Sequence, residues 1–242
     1  MEQQVRPARP HTGLTEDGRR LREVLTYSRR GGRMTPTQAG AWQRRHAQWW
    51  IPDEAVDEPG FSLARWFDRE APLVVEIGCG IGEATAELAA ARPDLNVLGF
   101  EVWRPGIGDT FANLERTGAE NVRMMSVDAV WSMRHLLEPE QVHELWTFFP
   151  DPWPKTRHHR RRLVQQPFAG LAASRLVRGG LWRLATDWPP YAEQMREVLD
   201  AEPLLEGGVV QRWAERPRTR FERRGLADGR PITDLAYRRV DG

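Results

Sequence analysis

A chain of 242 residues suits one sizeable domain with an appendage and is ample for a hydrophobic core. Its single cysteine, Cys79, excludes an intramolecular disulfide, and no run of about 18 apolar residues is present to span a bilayer. The formal net charge of +1 hides an asymmetry: residues 1–50 hold ten arginines against four acids, which leaves −5 for the remainder.

A basic arm on a mildly acidic body fits a polyanionic partner, with a solvated, disordered tail as the alternative for the first residues. The lone thiol and the lack of a signal-like segment set cytoplasmic, reducing surroundings as the expectation. His158 and His159 are adjacent and lack the spacing of zinc ligands, so no metal is expected.

Residues 1–60 read as a polar, Arg- and Pro-rich arm with a short helix near 36–50, whose Trp42, Trp49 and Trp50 can pack on the body. The domain proper is expected over 61–242. Leu73 to Ile77 is a short apolar run followed by Gly78, and Glu83 to Ala91 is an Ala-rich helix. Strands follow at Val97–Phe100, Val122–Val127, Leu145–Phe149 and Leu181–Ala185. Helices alternate with them at Pro105–Thr117, Trp131–Leu137, Leu163–Val177 and Pro190–Ala201. This alternation predicts an α/β fold, a Rossmann-like, mostly parallel open sheet with helices on both faces. Val209–Trp213 and Leu235–Val240 are expected as late strands that make one edge antiparallel.

Glu76-Ile77-Gly78-Cys79-Gly80-Ile81-Gly82 follows the first strand and opens the first helix, where glycines let backbone approach a ligand. The dinucleotide fingerprint needs glycine at its sixth place, and Glu83 stands there, which argues against hydride transfer. Glu101 ends the next strand, where an acid can take both ribose hydroxyls, and Asp128 ends the third.

Asp151 follows the fourth strand, again at the carboxyl edge, between Pro150 and Pro152. Trp153 offers a stacking face. Lys155 is the only lysine of the chain; every other basic side chain is arginine. An ammonium is a compact point charge rather than a planar fork, so its use here points to function. Arg157, His158, His159, Arg160, Arg161 and Arg162 complete a cationic run suited to phosphates. At a helix N-terminus such a run opposes the macrodipole and asks for an anionic partner.

The glycine loop with its acids resembles that of Rossmann-like methyltransferases that bind S-adenosylmethionine. The phrases Pro150-Asp151-Pro152-Trp153-Pro154-Lys155, Phe100-Glu101-Val102, Arg104-Pro105-Gly106-Ile107-Gly108, Ala185-Thr186-Asp187-Trp188 and Thr219-Arg220-Phe221-Glu222 make the likeness specific. Together they resemble the bacterial tRNA (guanine-N7-)-methyltransferase family, from about Ser28 to Val240. The resemblance implies methyl transfer from S-adenosylmethionine to N7 of the variable-loop guanosine of tRNA. It implies that Glu76, Gly78, Gly80, Gly82, Glu101, Asp128 and Asp151 form the cofactor site, with Asp151 also catalytic. Lys155, Asp187, Thr219, Arg220, Phe221 and Glu222 would hold the substrate, and Arg157 to Arg162 would touch RNA. Arg220 stands where the family usually has Lys, and Trp103 where His is common.

Two other readings stay open at this point. One is an amino-group methyltransferase, although Trp153 fills the place of its second motif proline. The other is a non-catalytic RNA-binding protein on the same fold. Monomer and homodimer are equally compatible with the sequence.

Overall fold

The computed structural model describes residues 25–27 and 32–241. The arginines at 6, 9, 19, 20, 22, 29 and 30 of the expected arm lie outside the described residues.

Seven strands form one sheet: β1 Leu73–Ile77, β2 Asn96–Phe100, β3 Val122–Met125, β4 Val142–Phe148, β5 Leu176–Thr186, β6 Leu205–Val210 and β7 Thr233–Arg239. Their spatial order is β3-β2-β1-β4-β5-β7-β6. The first five pair in parallel, while β7 runs antiparallel to both β5 and β6. The helices are α1 Pro36–Trp49, α2 Ala64–Phe67, α3 Glu83–Ala91, α4 Arg104–Thr117, α5 Ala129–His135, α6 Gln166–Arg175, α7 Pro189–Asp200 and α8 Arg220–Ala227.

The apolar strand runs are explained by burial on both faces. Val74 and Val97 point into a core shared with Ile107 and Phe111 of α4. Their neighbours Val75 and Leu98 point into the opposite core, with Phe168 of α6 and Tyr191 and Met195 of α7. Alternation by one residue therefore feeds two apolar layers from one strand.

Residues 36–56 belong to the packed body. A capping box opens α1: Gln38 N–H donates to Thr35 Oγ1, and Thr35 N–H to Gln38 Oε1. Trp49 and Trp50 are buried against α4, and Arg44 and Arg45 pair with Glu115 of that helix. The change of composition at residue 60 thus does not coincide with a change of packing.

Three element boundaries move for physical reasons. The helix expected from Leu163 begins only at Gln166, after an extended Gln165, because Pro167 fits a first turn. β5 starts at Leu176, where Val142 of β4 finds a partner across a register shift. The first late strand is Leu205–Val210, not Val209–Trp213: Gly207 and Gly208 lie opposite Tyr237 and Ala236, a pairing their composition does not advertise.

Candidate active site

The site lies at the carboxyl edge of the parallel strands, where open α/β sheets leave a crevice. One wall is the loop after β1. Gly78, Gly80 and Gly82 hold φ of 79°, 63° and 71°, left-handed values that a side chain makes costly. Gly106, in the first turn of α4, packs on the loop so closely that a Cβ there would overlap the Gly80 carbonyl oxygen. Ile77, Gly78 and Gly80 line the cleft; among the described residues Glu76 and Gly82 do not appear on its lining.

The acids divide by surroundings. Glu101 lines the cleft with both oxygens oriented by backbone: Oε2 accepts from Gly80 N–H at 2.7 Å, and Oε1 from Trp103 N–H at 2.8 Å. Asp128 also lines it and caps α5, accepting from Trp131 N–H at 2.8 Å. Glu76 sits beneath the loop, 3 % exposed, and accepts from the Thr85 hydroxyl at 2.6 Å. Burial pushes its carboxyl up to about 7 against the hydrogen bonds from Thr85 and Cys79, with the Glu101 charge adding to the rise. Burial also drives the Cys79 thiol well above its usual range.

The β4 loop is held under backbone strain. Phe149 and Trp153 take φ of 53° and 44°, unusual for bulky residues, and they bracket Pro150-Asp151-Pro152. Phe149 N–H donates to Ala185 O at 2.7 Å, and the Arg162 guanidinium donates to Pro152 O at 2.8 Å. Phe149, Pro150 and Asp151 thereby face the same cleft as the glycine loop.

The cationic run includes a 3-10 turn, Thr156–Arg161, and its side chains differ in placement. Lys155, Arg157 and Arg160 are exposed. His158 is held below its ordinary pKa by loss of water and by the cations Arg157, Arg161, Lys155 and Arg160. Arg161 stacks 3.5 Å over the Trp153 ring and donates to the carbonyls of Leu25 and Tyr27. Trp153 Nε1 donates to Thr26 O at 3.1 Å, and Thr26 and Tyr27 line the cleft. Arg162 departs from the expectation of RNA contact: it is 3 % exposed, bonded to Pro152 O and Gln194 Oε1, and stacked on Tyr191.

The opposite wall is α8. Thr219 caps it by accepting from Glu222 N–H, so Thr219-x-x-Glu222 was a readable helix start. Glu222 does not return to the cap. It is 1 % exposed and takes Arg212 Nε at 2.7 Å and Arg216 Nη1 at 2.6 Å. Burial alone would raise its pKa, but the Arg212 hydrogen bond and the charges of Arg216 and Arg212 hold the net value below the ordinary one. Arg216 is buried and also pairs with Asp234 of β7 at 2.9 Å. Asp187 pairs with Arg230 at 2.9 Å and packs against Gly225. Of the expected substrate residues, Arg220 and Phe221 reach the cleft, while Thr219, Glu222 and Asp187 frame the helix that carries them.

A 3-2-1-4-5-7-6 sheet with a glycine loop and strand-end acids at one edge is the architecture of a Rossmann-like methyltransferase. The structure of an antibiotic-related methyltransferase shares the fold at TM-score 0.51 and 13 % identity, covering 78 % of this chain and 98 % of that one. TrmN from Thermus thermophilus does so at TM-score 0.51 and 18 % identity, covering 74 % and 47 %. The family model described as "Putative methyltransferase" matches residues 70–235. A tRNA (guanine-N(7)-)-methyltransferase of Nocardioides sp. is 66 % identical over 235 residues, 97 % of this chain and 95 % of that protein. One from Cutibacterium acnes is 47 % identical over 243 residues, covering 95 % and 88 %. The chain belongs to the tRNA (guanine-N7-)-methyltransferase family.

Proposed function

We propose that this chain methylates N7 of the variable-loop guanosine of tRNA, position 46 in tRNA numbering, using S-adenosylmethionine. The observation that carries the reading is the meeting in one cleft of Asp151, held on a strained loop, with the glycine loop, Glu101 and Asp128. The names of the relatives point the same way.

The residues fit the cofactor. Glu101 is oriented by the backbone N–H groups of Gly80 and Trp103, at the place where an acid can take the ribose hydroxyls. Phe100, Ala129, Phe149 and Leu163 supply apolar surface for a base, and a Cβ on Gly78 would meet nothing within 4 Å. Asp128 stands at the same edge with its carboxylate oriented by Trp131 N–H. When bound, S-adenosylmethionine supplies an electrophilic methyl group on a cationic sulfur.

Guanine N7 carries a lone pair and no proton, so no general base is required. The work of the site is alignment, and proximity supplies most of the rate. The ring gains positive charge as N7 is alkylated. Asp151 accepts from the N1–H and N2–H edge and stabilises that charge. Asp187 and Glu222 are weaker candidates for this role, since both are committed to arginines. Lys155 binds a phosphate or ribose of the target nucleotide. Arg157 and Arg160 contact phosphates, which makes tRNA binding fall steeply with salt.

The test uses methyl-labelled S-adenosylmethionine and unmodified tRNA transcripts with and without the variable-loop guanosine. Label at that guanosine alone, mapped by borohydride–aniline cleavage, is expected. Label on an exocyclic amine would transfer the protein to the amino-methyltransferase reading. tRNA binding without label, and without S-adenosylmethionine binding, would favour a non-catalytic RNA-binding protein.

A further inference from the structure

The two walls of the cleft are joined by a side chain that the proposed chemistry does not use. Glu83 is the first residue of α3, directly after Gly82. Its Oε2 accepts from the Arg220 backbone N–H at 2.6 Å, one of the amides left open at the start of α8. Its Oε1 accepts from Arg223 Nη2 at 2.7 Å. One carboxylate therefore serves the first turns of two helices that are 137 residues apart, an arrangement both macrodipoles favour.

Beside this bridge the walls touch directly. A Cβ on Gly80 would lie 3.6 Å from Phe221 Cε2, so the ring rests on the glycine loop. The other ties of α8 run elsewhere: Glu222 to Arg216 and on to Asp234 of β7, and Gly225 to Asp187 at the end of β5. Glu83 thus ties the first turn of α8 to the start of α3, while the ties to β5 and β7 hold the rest of the helix.

We propose that Glu83 is a positioning residue through which the glycine loop sets α8, so that cofactor and tRNA binding support one another. The proposal rests on the reading of the cleft given above. Linkage makes the effect reciprocal: whatever the cofactor adds to tRNA affinity, tRNA adds to cofactor affinity.

The test uses the full chain, with S-adenosylhomocysteine as the probe in the cleft. Amide hydrogen exchange of residues 219–227 and the tRNA dissociation constant are measured with and without it. In the wild type the probe slows exchange in α8 and tightens tRNA by roughly fivefold, a usual size for such coupling. Glu83→Ala loses most of both responses, the contact of Phe221 with Gly80 carrying the remainder, while its melting temperature is kept and its affinity for the probe stays within about twofold, since other ties hold the helix. Glu83→Gln keeps an acceptor for the Arg220 amide and retains part of the response. Arg223→Ala behaves like Glu83→Gln, and the double variant with Glu83→Ala is no worse than Glu83→Ala alone. Intact coupling in Glu83→Ala overturns this inference alone. Loss of probe binding in step with a fall in melting temperature does the same, because it marks a merely structural role. A wild type that binds no S-adenosylhomocysteine overturns the reading of the cleft and this inference with it.

Discussion

The glycine loop and α8 face each other across one cleft, yet they are built by different physics. The loop is set by backbone: three left-handed glycines, and a fourth glycine in α4 that lets two backbone segments touch. The α8 wall is set by charge. Arg216 lies buried between Glu222 and Asp234, Arg212 joins the same carboxylate, and Glu83 holds the first turn. A backbone-built wall tolerates little change of size. A wall built on buried ions tolerates little change of partner, because a charge left alone in the interior is far costlier than a missing contact.

The largest effect should therefore come from the charged wall. Arg216→Met removes one cation and leaves Glu222 and Asp234 in a buried site. Breaking such a network costs about 3–5 kcal/mol, and the loss should appear in urea unfolding of the free protein. If Arg216→Met unfolds at the wild-type midpoint, the contrast between the walls fails. Combining Arg216→Met with Glu222→Gln and Asp234→Asn should recover part of the stability, since no carboxylate is then stranded.

Next in size is the chemical step. Asp151→Asn keeps the shape of the β4 loop, which Arg162 and Ala185 hold through backbone atoms. It removes the negative charge facing the base. Under saturating ligands, turnover should fall by about 10²–10³-fold, the usual cost of losing one preorganised electrostatic partner. Turnover near that of the wild type would sink the charge-stabilisation account.

Much of the backbone-built wall was legible in the sequence. Glu76 to Gly82, Glu101, Asp128 and Asp151 each stand at the end of an apolar run, and the period of strands and helices places those ends on one edge. The charged wall was less legible, because its partners are far apart in the chain. Nothing local tells that Glu222 meets Arg212 and Arg216, or that Arg223 meets Glu83, 140 residues away. The Thr219-x-x-Glu222 signal for a helix start was present but lay within an arginine-rich stretch that reads as loop. Arg162 looked like one more cation of a run; only the 3-10 turn reveals that it points inward. Thr26 and Tyr27 carry no pattern at all, and they join the cleft because Trp153 and Arg161 bind their backbone.

The glycine wall has a pH signature of its own. Glu76 titrates at about 7 in the folded chain, against 4.5 ordinarily. Between those values the folded chain keeps a proton that the unfolded chain has released. Stability should fall as pH rises through that window and level off above it, by a few kcal/mol at most, on the order of 3. Glu76→Gln should flatten this slope, as seen in urea midpoints at pH 5 and pH 8. An equal slope in both proteins would assign the dependence to other groups.

The smallest effect tests where the two walls meet. Phe221 is 36 % exposed, rests on Gly80 and carries Arg220 5.0 Å over its ring. Two roles fit that position: an apolar cover for the glycine loop, or a stacking face for the target base. Phe221→Ala removes both and should raise the tRNA KM by about tenfold, since stacking on one base is worth about 1–3 kcal/mol. Phe221→Leu separates them. A leucine still covers Gly80 but has no π-face, so wild-type behaviour there would assign the residue to the backbone-built wall. A defect equal to that of Phe221→Ala, with cofactor affinity unchanged, would assign it to the substrate side. The second outcome is expected, because a ring whose only task was to cover Gly80 would be buried by the loop rather than left a third open to the cleft.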